Sequence, residues 1–568
     1  MSSLNPVTLV RNVSRNSPWI VMAVALHLLL LAGAMIFYTV DEPEAVVDSG
    51  IEISTLEPRT PVETLPEPEP VPRRPLQPQD VEKLVEYTPT WVIPTAPSDE
   101  PFGDPDVDAD LPPEVPSTNT AIGVGPRGIG GRRPSPFTTI GPGVELGPGI
   151  LTGSGGPPEK QAIVSVLSGL RWLARHQNED GSWGAISLAS RCDADHACSD
   201  THKSWVESYD DGLTSLALLA FLGAGLGHES KQFFEDPVRG KKKVVTGEVV
   251  KKGLQWLVRH QNEDGSFGKD RPYMYNQALA TMALCEAYGL TRHRYWREPA
   301  QRAVDYLSGA QRPSPTGRGL WGWRYASRQE VERFHQGDSL DEAFKRELYD
   351  ADTSVTGWAV MALKSAQMSG LEVRQECFDG ALAYAKWVSL ADGQAGYIDP
   401  KGAGLTVSGP DDHFDYHPAG MSALSMCIRA FTAHDHEDPY LEAAAKRIAA
   451  DLPRVSKDRL SVDYYYWYYG SLALNQYDGP DSPRRNGKYW RAWNKAMVDA
   501  VIGEQETSAK HCGSGGWLAP DRWCHAGGPV YATAINVLTL EVYYRYPNAF
   551  SAARSARSGG AREVDAVK

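Results

Sequence analysis

The stretch PDDHFDYHPAG at residues 410–420 concentrates side chains that could bind a metal ion or transfer protons. Asp412, His413 and His417 supply carboxylate and imidazole groups within a few positions of one another. Such a mixture suits a divalent metal or general acid–base chemistry. A solvated loop that caps the next helix is the alternative, and spacing alone does not separate the two. No other cofactor is indicated.

Four of the seven cysteines lie in loops where they could form pairs. Cys512 and Cys524 each stand beside a histidine, and Cys192 and Cys198 share an earlier loop. In a reducing compartment the first pair and its histidines would form a zinc clip. In an oxidising compartment, disulfides Cys512–Cys524 and Cys192–Cys198 are expected.

An internal repeat indicates which elements position these groups. The phrase GLRWLARHQNEDGSWG at 169–184 returns as GLQWLVRHQNEDGSFG at 253–268, and each copy is an amphipathic helix that stops at Asn-Glu-Asp-Gly. A more apolar helix follows each copy, at 210–225 and 274–289. Further helices of the first type are predicted near 299–311, 375–389, 440–451 and 490–505. Further helices of the second type are predicted at 352–369, 417–433, 463–476 and 530–545.

These six pairs predict an all-α fold over residues 158–549. Helices that are apolar on all sides belong inside a domain, and amphipathic helices belong outside. Six inner helices within six outer helices make a closed α/α toroid, or α6/α6 barrel. An open solenoid with capping ends is the alternative.

The starts of the inner helices would meet at one mouth of this toroid, because the inner helices run parallel. Asp352, Asp350 and Asp463 are the candidate catalytic residues there. Asp352 would be the acid, Asp350 would tune its pKa, and Asp463 would lie across the mouth. The alternative role of Asp352 is that of a helix N-cap.

Aromatic residues are frequent on the inner helices, and they could line a ligand cavity. Apolar burial and cation–π contact in such a cavity would suit an isoprenoid chain or a carbocation. Filling of the core is the alternative. The candidate cavity residues are Asp211, Tyr275, Trp358, His417, Tyr465 and Tyr531.

The region before the repeats indicates a membrane anchor and a spacer. Residues 19–40 carry no formal charge and are long enough to span a bilayer. Basic residues precede them and acidic residues follow, which predicts a cytoplasmic tail at 1–18 and an extracytoplasmic, periplasmic toroid on the inner membrane. A cleaved signal peptide is the alternative. Residues 41–157 are rich in Pro and Gly and predict a disordered linker, and 550–568 a disordered tail.

The net charge of −14 argues against a nucleic-acid partner, because such binding needs a basic surface. His27, inside the predicted span, is a candidate contact for a partner protein of the envelope, as is the linker. The basic tail, the His-bearing span and the Pro/Glu linker resemble the N-terminus of TonB-type energy transducers. Ala23 stands where those spans carry a serine.

The repeated phrase resembles the QW repeat of squalene and triterpene cyclases, and it is similar to repeats of protein prenyltransferase β subunits. Gly169, Trp172, Gln177 and Trp183 carry the pattern in the first copy, and Phe267 replaces the last Trp in the second. The resemblance implies a toroid in which the phrase is structural and joins an outer helix to the next inner helix.

The catalytic motifs of these families are incomplete here. Hopene-type cyclases use Asp-x-Asp-Asp, and the matching stretch Asp350-Ala351-Asp352-Thr353 has threonine at the third acid. The prenyltransferase zinc site would need Cys at Tyr465 and His at Ala532, beside the retained Asp463.

Three functions remain open from the sequence. The first is a membrane-anchored toroid, similar to terpene cyclases and prenyltransferases, that binds or transforms an isoprenoid-like lipid. The second is a non-catalytic binding or scaffold module of the cell envelope. The third is a glycan-cleaving α/α toroid that uses paired carboxylates.

Overall fold

Helices provide almost all of the regular structure in the described part of the chain. This computed structural model describes residues 157–550 except 194–195, 199–208, 270, 336–341, 402–416, 519–520 and 547. In chain order the helices are α1 (Pro157–Arg175), α2 (Asp210–Gly223), α3 (Thr246–His260), α4 (Met274–Thr291), α5 (Arg294–Gly309), α6 (Arg328–Phe334), α7 (Glu342–Tyr349), α8 (Thr353–Met368), α9 (Gln375–Trp387), α10 (Ala419–Ala433), α11 (Pro439–Ala449), α12 (Tyr464–Asp478), α13 (Lys488–Gly503) and α14 (Cys524–Leu540).

Six of these helices form a closed inner ring. Each of α2, α4, α8, α10, α12 and α14 packs against the next, and α14 returns to pack against α2. The outer helices are α1, α3, α5, α9, α11 and α13, and α1 also contacts α13 and α14. The six predicted pairs are therefore present, and the ring is closed as predicted rather than an open solenoid.

Composition explains which helices lie inside. Almost every residue of α2 and α8 is buried, and these helices carry apolar or small residues on all faces. By contrast, α3 buries one face, with Val250, Leu254 and Leu257, and exposes its charged residues. Burial of a helix on all sides requires apolar residues all round, whereas an outer helix needs only one apolar stripe.

The glutamine of the repeated phrase joins neighbouring outer helices. Gln177 Nε2 donates to Gly181 O in its own turn and to Val249 O in α3, both at 2.9 Å. Gln261 Nε2 reaches Pro299 O in α5 in the same way, at 2.9 Å. The phrase is structural, as the sequence indicated. The glutamine itself binds the next outer helix, α3 in the first copy and α5 in the second.

The tryptophan of the phrase makes the link to the inner ring. Trp183 Nε1 donates to Leu173 O at 2.7 Å, which satisfies a carbonyl at the end of α1. The backbone N–H of Trp183 donates to Thr214 Oγ1 of α2 at 2.9 Å. The glutamine side chain thus connects neighbouring outer helices, and the backbone of the tryptophan connects the phrase to the inner ring.

Two further copies of this arrangement were not recognised in the sequence. Gln311 Nε2 donates to Cys377 O of α9 at 2.9 Å, and Trp323 N–H donates to Thr356 Oγ1 of α8 at 3.0 Å. Gln505 Nε2 donates to Ser165 O of α1 at 2.9 Å, while Trp517 occupies the position of Trp183. The last copy joins α13 to α1 and so closes the outer ring.

Some elements differ from the prediction. A β-hairpin of β1 (Phe233–Asp236) and β2 (Lys242–Val245) lies between α2 and α3, with Phe233 opposite Val245. Helices α6 and α7 are inserted before α8. In α14 the backbone breaks at Gly528, which has a positive φ of 53°, and Pro529 starts the regular inner helix.

Residues 541–546 and 548–550 lie at the end of the ring where the inner helices finish. Arg545 forms a buried ion pair with Glu286 of α4, N to O 2.9 Å, and its Nη1 donates to Leu219 O near the end of α2. Asn548 Nδ2 donates to Gln476 O in the last turns of α12. This segment therefore closes one end of the toroid.

Several predictions concern residues outside the described part of the chain. They are the tail 1–18, the span 19–40 with His27, the linker, the last residues of the chain, and Asp412 and His413. Within the described residues, no helix has the length and apolar character needed to cross a membrane.

Candidate functional site

The inner helices start together at the end of the ring opposite residues 541–550. Asp211 and Tyr275 are the second residues of α2 and α4, and Asp352 and Asp463 are the N-caps of α8 and α12. His417 lies just before α10. We refer to this end as the mouth. Its position follows from the predicted helix boundaries, which the structure reproduces closely.

Asp352 is completely buried and serves as a helix cap. Its Oδ1 accepts the backbone N–H of Val355 at 2.7 Å, and its Oδ2 accepts Arg324 Nη1 at 3.1 Å. The same guanidinium binds Asp350 through Nε at 2.9 Å. Burial raises the pKa of Asp352 to about 6, although Arg324 opposes that shift. Both carboxylate oxygens therefore have structural partners.

Arg324 was not recognised in the sequence as part of the site. It follows Trp323, whose carbonyl accepts the backbone N–H of Asp352 at 2.9 Å, so a short bridge between the two segments sets its position. The third copy of the glutamine–tryptophan arrangement would have been the signal, because it places Trp323 at the start of α8.

Tyrosine hydroxyls form a network beside Asp352. Ser354 Oγ lies 2.5 Å from both Tyr275 Oη of α4 and Tyr465 Oη of α12, so it joins two helices across the ring. Tyr325 and Tyr397, both missed in the sequence, are hydrogen-bonded to each other through their hydroxyls. Burial raises the pKa of Tyr275 well above its usual value, which keeps this hydroxyl neutral.

Asp463 belongs to a second cluster of the mouth. Its Oδ1 accepts the backbone N–H of Tyr466 at 2.9 Å and Trp523 Nε1 at 3.0 Å. Asp521, also missed in the sequence, accepts the backbone N–H of Tyr464 at 3.0 Å. Burial and the nearby Asp463 raise the pKa of Asp521 to about 7. The Trp523 ring packs on Tyr465, centroids 5.4 Å apart, and so connects this cluster to the tyrosine network.

Of the remaining cavity candidates, Asp211 and Tyr531 lie at the mouth and Trp358 lies deeper in the ring. Burial raises the pKa of Asp211 to about 6. Tyr531 is half-buried at the mouth, and its hydroxyl has no hydrogen-bond partner among the described residues. Trp358 lies deeper and stacks on Tyr468, centroids 5.6 Å apart. Trp358 therefore contributes to the packing of the inner ring.

His417 has a structural role that occupies both ring nitrogens. Nδ1 lies 2.7 Å from Asp451 Oδ2, and Nε2 lies 3.2 Å from the carbonyl oxygen of Ser461. Burial alone would lower the pKa of His417, but the hydrogen bond to Asp451 and the charge of Asp463 outweigh it and raise the pKa. Both ring nitrogens of His417 therefore face oxygen atoms of the protein.

The structure brings the predicted partners Cys192 and Cys198 together, and it places Cys512 and Cys524 in different groups. All seven are free. Cys512 lies beside Cys198, with 3.6 Å between the sulfur atoms, and Cys192 and His176 belong to the same cluster. Cys524 contacts Asp521 at the mouth instead, where its Sγ accepts the backbone N–H of Asp521 at 3.4 Å.

Comparisons with known proteins were made for both the sequence and the structure. No protein-family model and no curated protein matches the sequence. Among solved structures, the type II terpene cyclase MstE from Scytonema is similar at 13% identity and a TM-score of 0.40, over 68% of this chain and 98% of that chain. The alpha-1,6-mannanase GH76A from Salegentibacter sp. HEL1_6 is similar at 11% identity and a TM-score of 0.39, with the same coverage. The toroid architecture itself rests on the helix contacts described above.

Proposed function

We propose that this toroid is a non-catalytic module that binds a neutral, isoprenoid-like or other lipid ligand at its mouth. The observation that carries the proposal is a group of half-buried aromatic rings. Tyr273 lies 5.5 Å from Tyr275 and 6.1 Å from Tyr325 between ring centroids, and Tyr465 packs on Trp523. Rings of this kind offer an apolar face to a ligand and a hydroxyl to its polar end.

The charges at the mouth favour a ligand without negative charge. Helix N-termini attract anions, but Asp352 and Asp463 already accept the backbone N–H groups of α8 and α12. Arg324 is engaged by two carboxylates. An anionic head group would therefore meet carboxylates and few available donors.

The same contacts argue against acid catalysis by Asp352. A carboxyl group that protonates an alkene must hold a proton and present it to the substrate. The Asp352 carboxylate instead binds Arg324 and the start of α8, and it is buried. Threonine at position 353 also leaves the cyclase-like acid motif incomplete.

Location in the cell envelope is part of the proposal and rests on the sequence. The predicted span at 19–40 would anchor the chain, and the Pro/Gly-rich linker would carry the toroid on the extracytoplasmic side.

Native mass spectrometry of the full chain, extracted gently, tests the binding function. We expect a lipid-like mass to copurify with the protein. Tyr273→Ala removes one ring of the mouth and should lower the recovered lipid several-fold. Trp387→Ala removes an exposed ring of outer helix α9 and should not. A bare protein mass, or equal loss in both folded variants, would contradict the proposal.

Acid-catalysed conversion of such a lipid is the second candidate. It is favoured by the raised pKa values of Asp352, to about 6, and Asp521, to about 7, which leave some protonated carboxyl near neutral pH. If the copurified lipid is turned over, Asp352→Asn and Asp521→Asn should each be assayed. Turnover that disappears in a folded variant would establish catalysis and replace the binding-only function.

A further inference from the structure

Four metal-binding side chains meet at the junction of the first and last repeats. His176 directly follows α1, Cys192 and Cys198 lie in the loop before α2, and Cys512 lies in the loop before α14. One ligand atom from each lies within 4.8 Å of all the others. His176, Cys198 and Cys512 are buried, and Cys192 is half-buried.

The distances within this cluster fit tetrahedral coordination. Zinc binds sulfur at about 2.3 Å and imidazole nitrogen at about 2.0–2.1 Å, which gives tetrahedral edges of about 3.8 Å for S···S and about 3.5 Å for S···N. The Cys198 and Cys512 sulfurs are 3.6 Å apart, and Cys198 Sγ lies 3.4 Å from His176 Nε2. A disulfide would require sulfurs about 2.05 Å apart.

The surroundings orient these groups as expected for metal ligands. His176 Nδ1 lies 2.9 Å from Trp172 O and donates to it, which leaves the lone pair of Nε2 directed at the cluster. The backbone N–H of Asp193 donates to Cys512 Sγ at 3.2 Å, and that of Cys198 donates to Cys192 Sγ at 3.4 Å. Such bonds stabilise thiolates.

The second repeat provides an internal comparison. His260 has the same place in its phrase as His176, with Nδ1 2.8 Å from Trp256 O and its ring stacked on Trp256 at 3.8 Å. His260 is exposed and belongs to no metal-binding cluster in the described part of the chain. The repeat therefore fixes the orientation of the histidine, and only the first copy places three cysteines around it.

We propose that His176, Cys192, Cys198 and Cys512 together bind one zinc ion. Three thiolates and one imidazole satisfy a closed, four-coordinate site, which is typical of structural zinc rather than catalytic zinc. The ion would join the loop after α1 to the loop before α14. The same loops already meet through Cys512 N–H and Asp193 Oδ2 at 2.7 Å. The site shares no residue with the group of aromatic rings at the mouth, and it does not depend on the ligand proposed there.

Metal analysis of the full chain, purified without chelators, tests this proposal. We expect one zinc per chain. Cys198→Ser and Cys512→Ser should lose the metal, whereas Cys524→Ser, which changes a buried cysteine outside the cluster, should retain it. His176→Ala should lose it and His260→Ala should not. Loss of zinc from the control variants to the same extent would overturn the assignment.

A second measurement uses only the wild-type protein, so it does not depend on whether the variants fold. Wild-type protein loaded with Co²⁺ should show thiolate-to-cobalt charge transfer and the visible bands of a tetrahedral site. Absence of metal in protein that was kept reduced and supplied with zinc would overturn the proposal. So would an intact mass that shows a Cys192–Cys198 disulfide in metal-free protein isolated under the same conditions.

Discussion

Asp352 illustrates how one carboxylate fits both a catalytic and a structural role in the sequence, while the fold shows its contacts as a helix cap and an ion-pair partner. The residue types of Asp350-Ala351-Asp352 fit both an acid pair and a helix cap. The choice between them depends on Arg324, which is remote in the sequence and reaches Asp352 only because the chain bridges at Trp323. Residue spacing does not contain that information.

Substitution of Asp352 should separate its contributions as a cap and as an ion-pair partner. Asp352→Ala removes both and should lower the free energy of unfolding by about 3–5 kcal/mol, since Arg324 loses a buried partner. Asp352→Asn retains an N-cap oxygen and should cost about 1 kcal/mol less. Urea unfolding measures the difference, with Asp350→Ala, at a more exposed position, as the control. Equal losses for Ala and Asn would contradict the capping role.

Asp521 should make stability depend on pH. Its folded-state pKa, about 7, lies above the ordinary 3.8, so the folded protein binds this proton more tightly than the unfolded chain. The resulting stability is complete below about pH 4 and is lost as the pH rises through 7. Melting temperatures between pH 4 and pH 8 should therefore fall more steeply in the wild type than in Asp521→Asn. Parallel curves would show that the carboxyl titrates normally.

At the level of elements, the helices were predictable and the connections between them were not. Apolar periodicity located all six helix pairs, because burial of each face leaves a direct mark on the sequence. Gln177 and Trp183 are six positions apart, whereas Gln311 and Trp323, like Gln505 and Trp517, are twelve apart. The longer turns preserve the contacts of the end residues but hide the repeat.

The same division applies to the site: its residues at helix starts were predictable, and its residues in the connections were not. Helix starts placed Asp352, Asp463, Tyr275 and Tyr465 at one mouth, as expected from parallel inner helices. Residues contributed by connections, such as Tyr397 and Asp521, follow no period and were missed. The cluster of His176 and three cysteines joins residues more than 300 positions apart, so it became visible only when the ring was closed.

The packing between α12 and α13 depends on the absence of a side chain at Gly470. A Cβ there would overlap the ring of Trp493. Gly470→Ala should therefore cost about 1–3 kcal/mol through overpacking, despite the better helix propensity of alanine. Gly503→Ala at the end of α13 meets nothing within 4 Å and should change stability by less than about 0.5 kcal/mol. Urea midpoints compare the two variants, and equal values would refute this close packing.

For the whole molecule, the closed end of the ring depends on a buried charge cluster. Arg545 pairs with Glu286 and lies 3.6 Å from Glu541, and all three side chains are inaccessible to solvent. The segment that contains Arg545 is therefore bound to α4 by an ion pair as well as by packing.

Arg545→Met should lower the free energy of unfolding by about 3–5 kcal/mol, because it leaves buried carboxyl groups without their cation. Arg484→Met breaks an exposed pair with Glu442 and should cost less than about 1 kcal/mol. Chemical denaturation measures both. Addition of Glu286→Gln to Arg545→Met should recover part of the loss, and a purely additive double variant would show that the pair is not coupled.

The direction of α1 determines where the preceding polypeptide is attached. Because α1 ends beside the start of α2, its first residue lies at the opposite end of the ring, the end covered by residues 541–550. The junction with any preceding polypeptide therefore lies at the end of the ring away from the mouth, and the junction itself does not occupy the mouth.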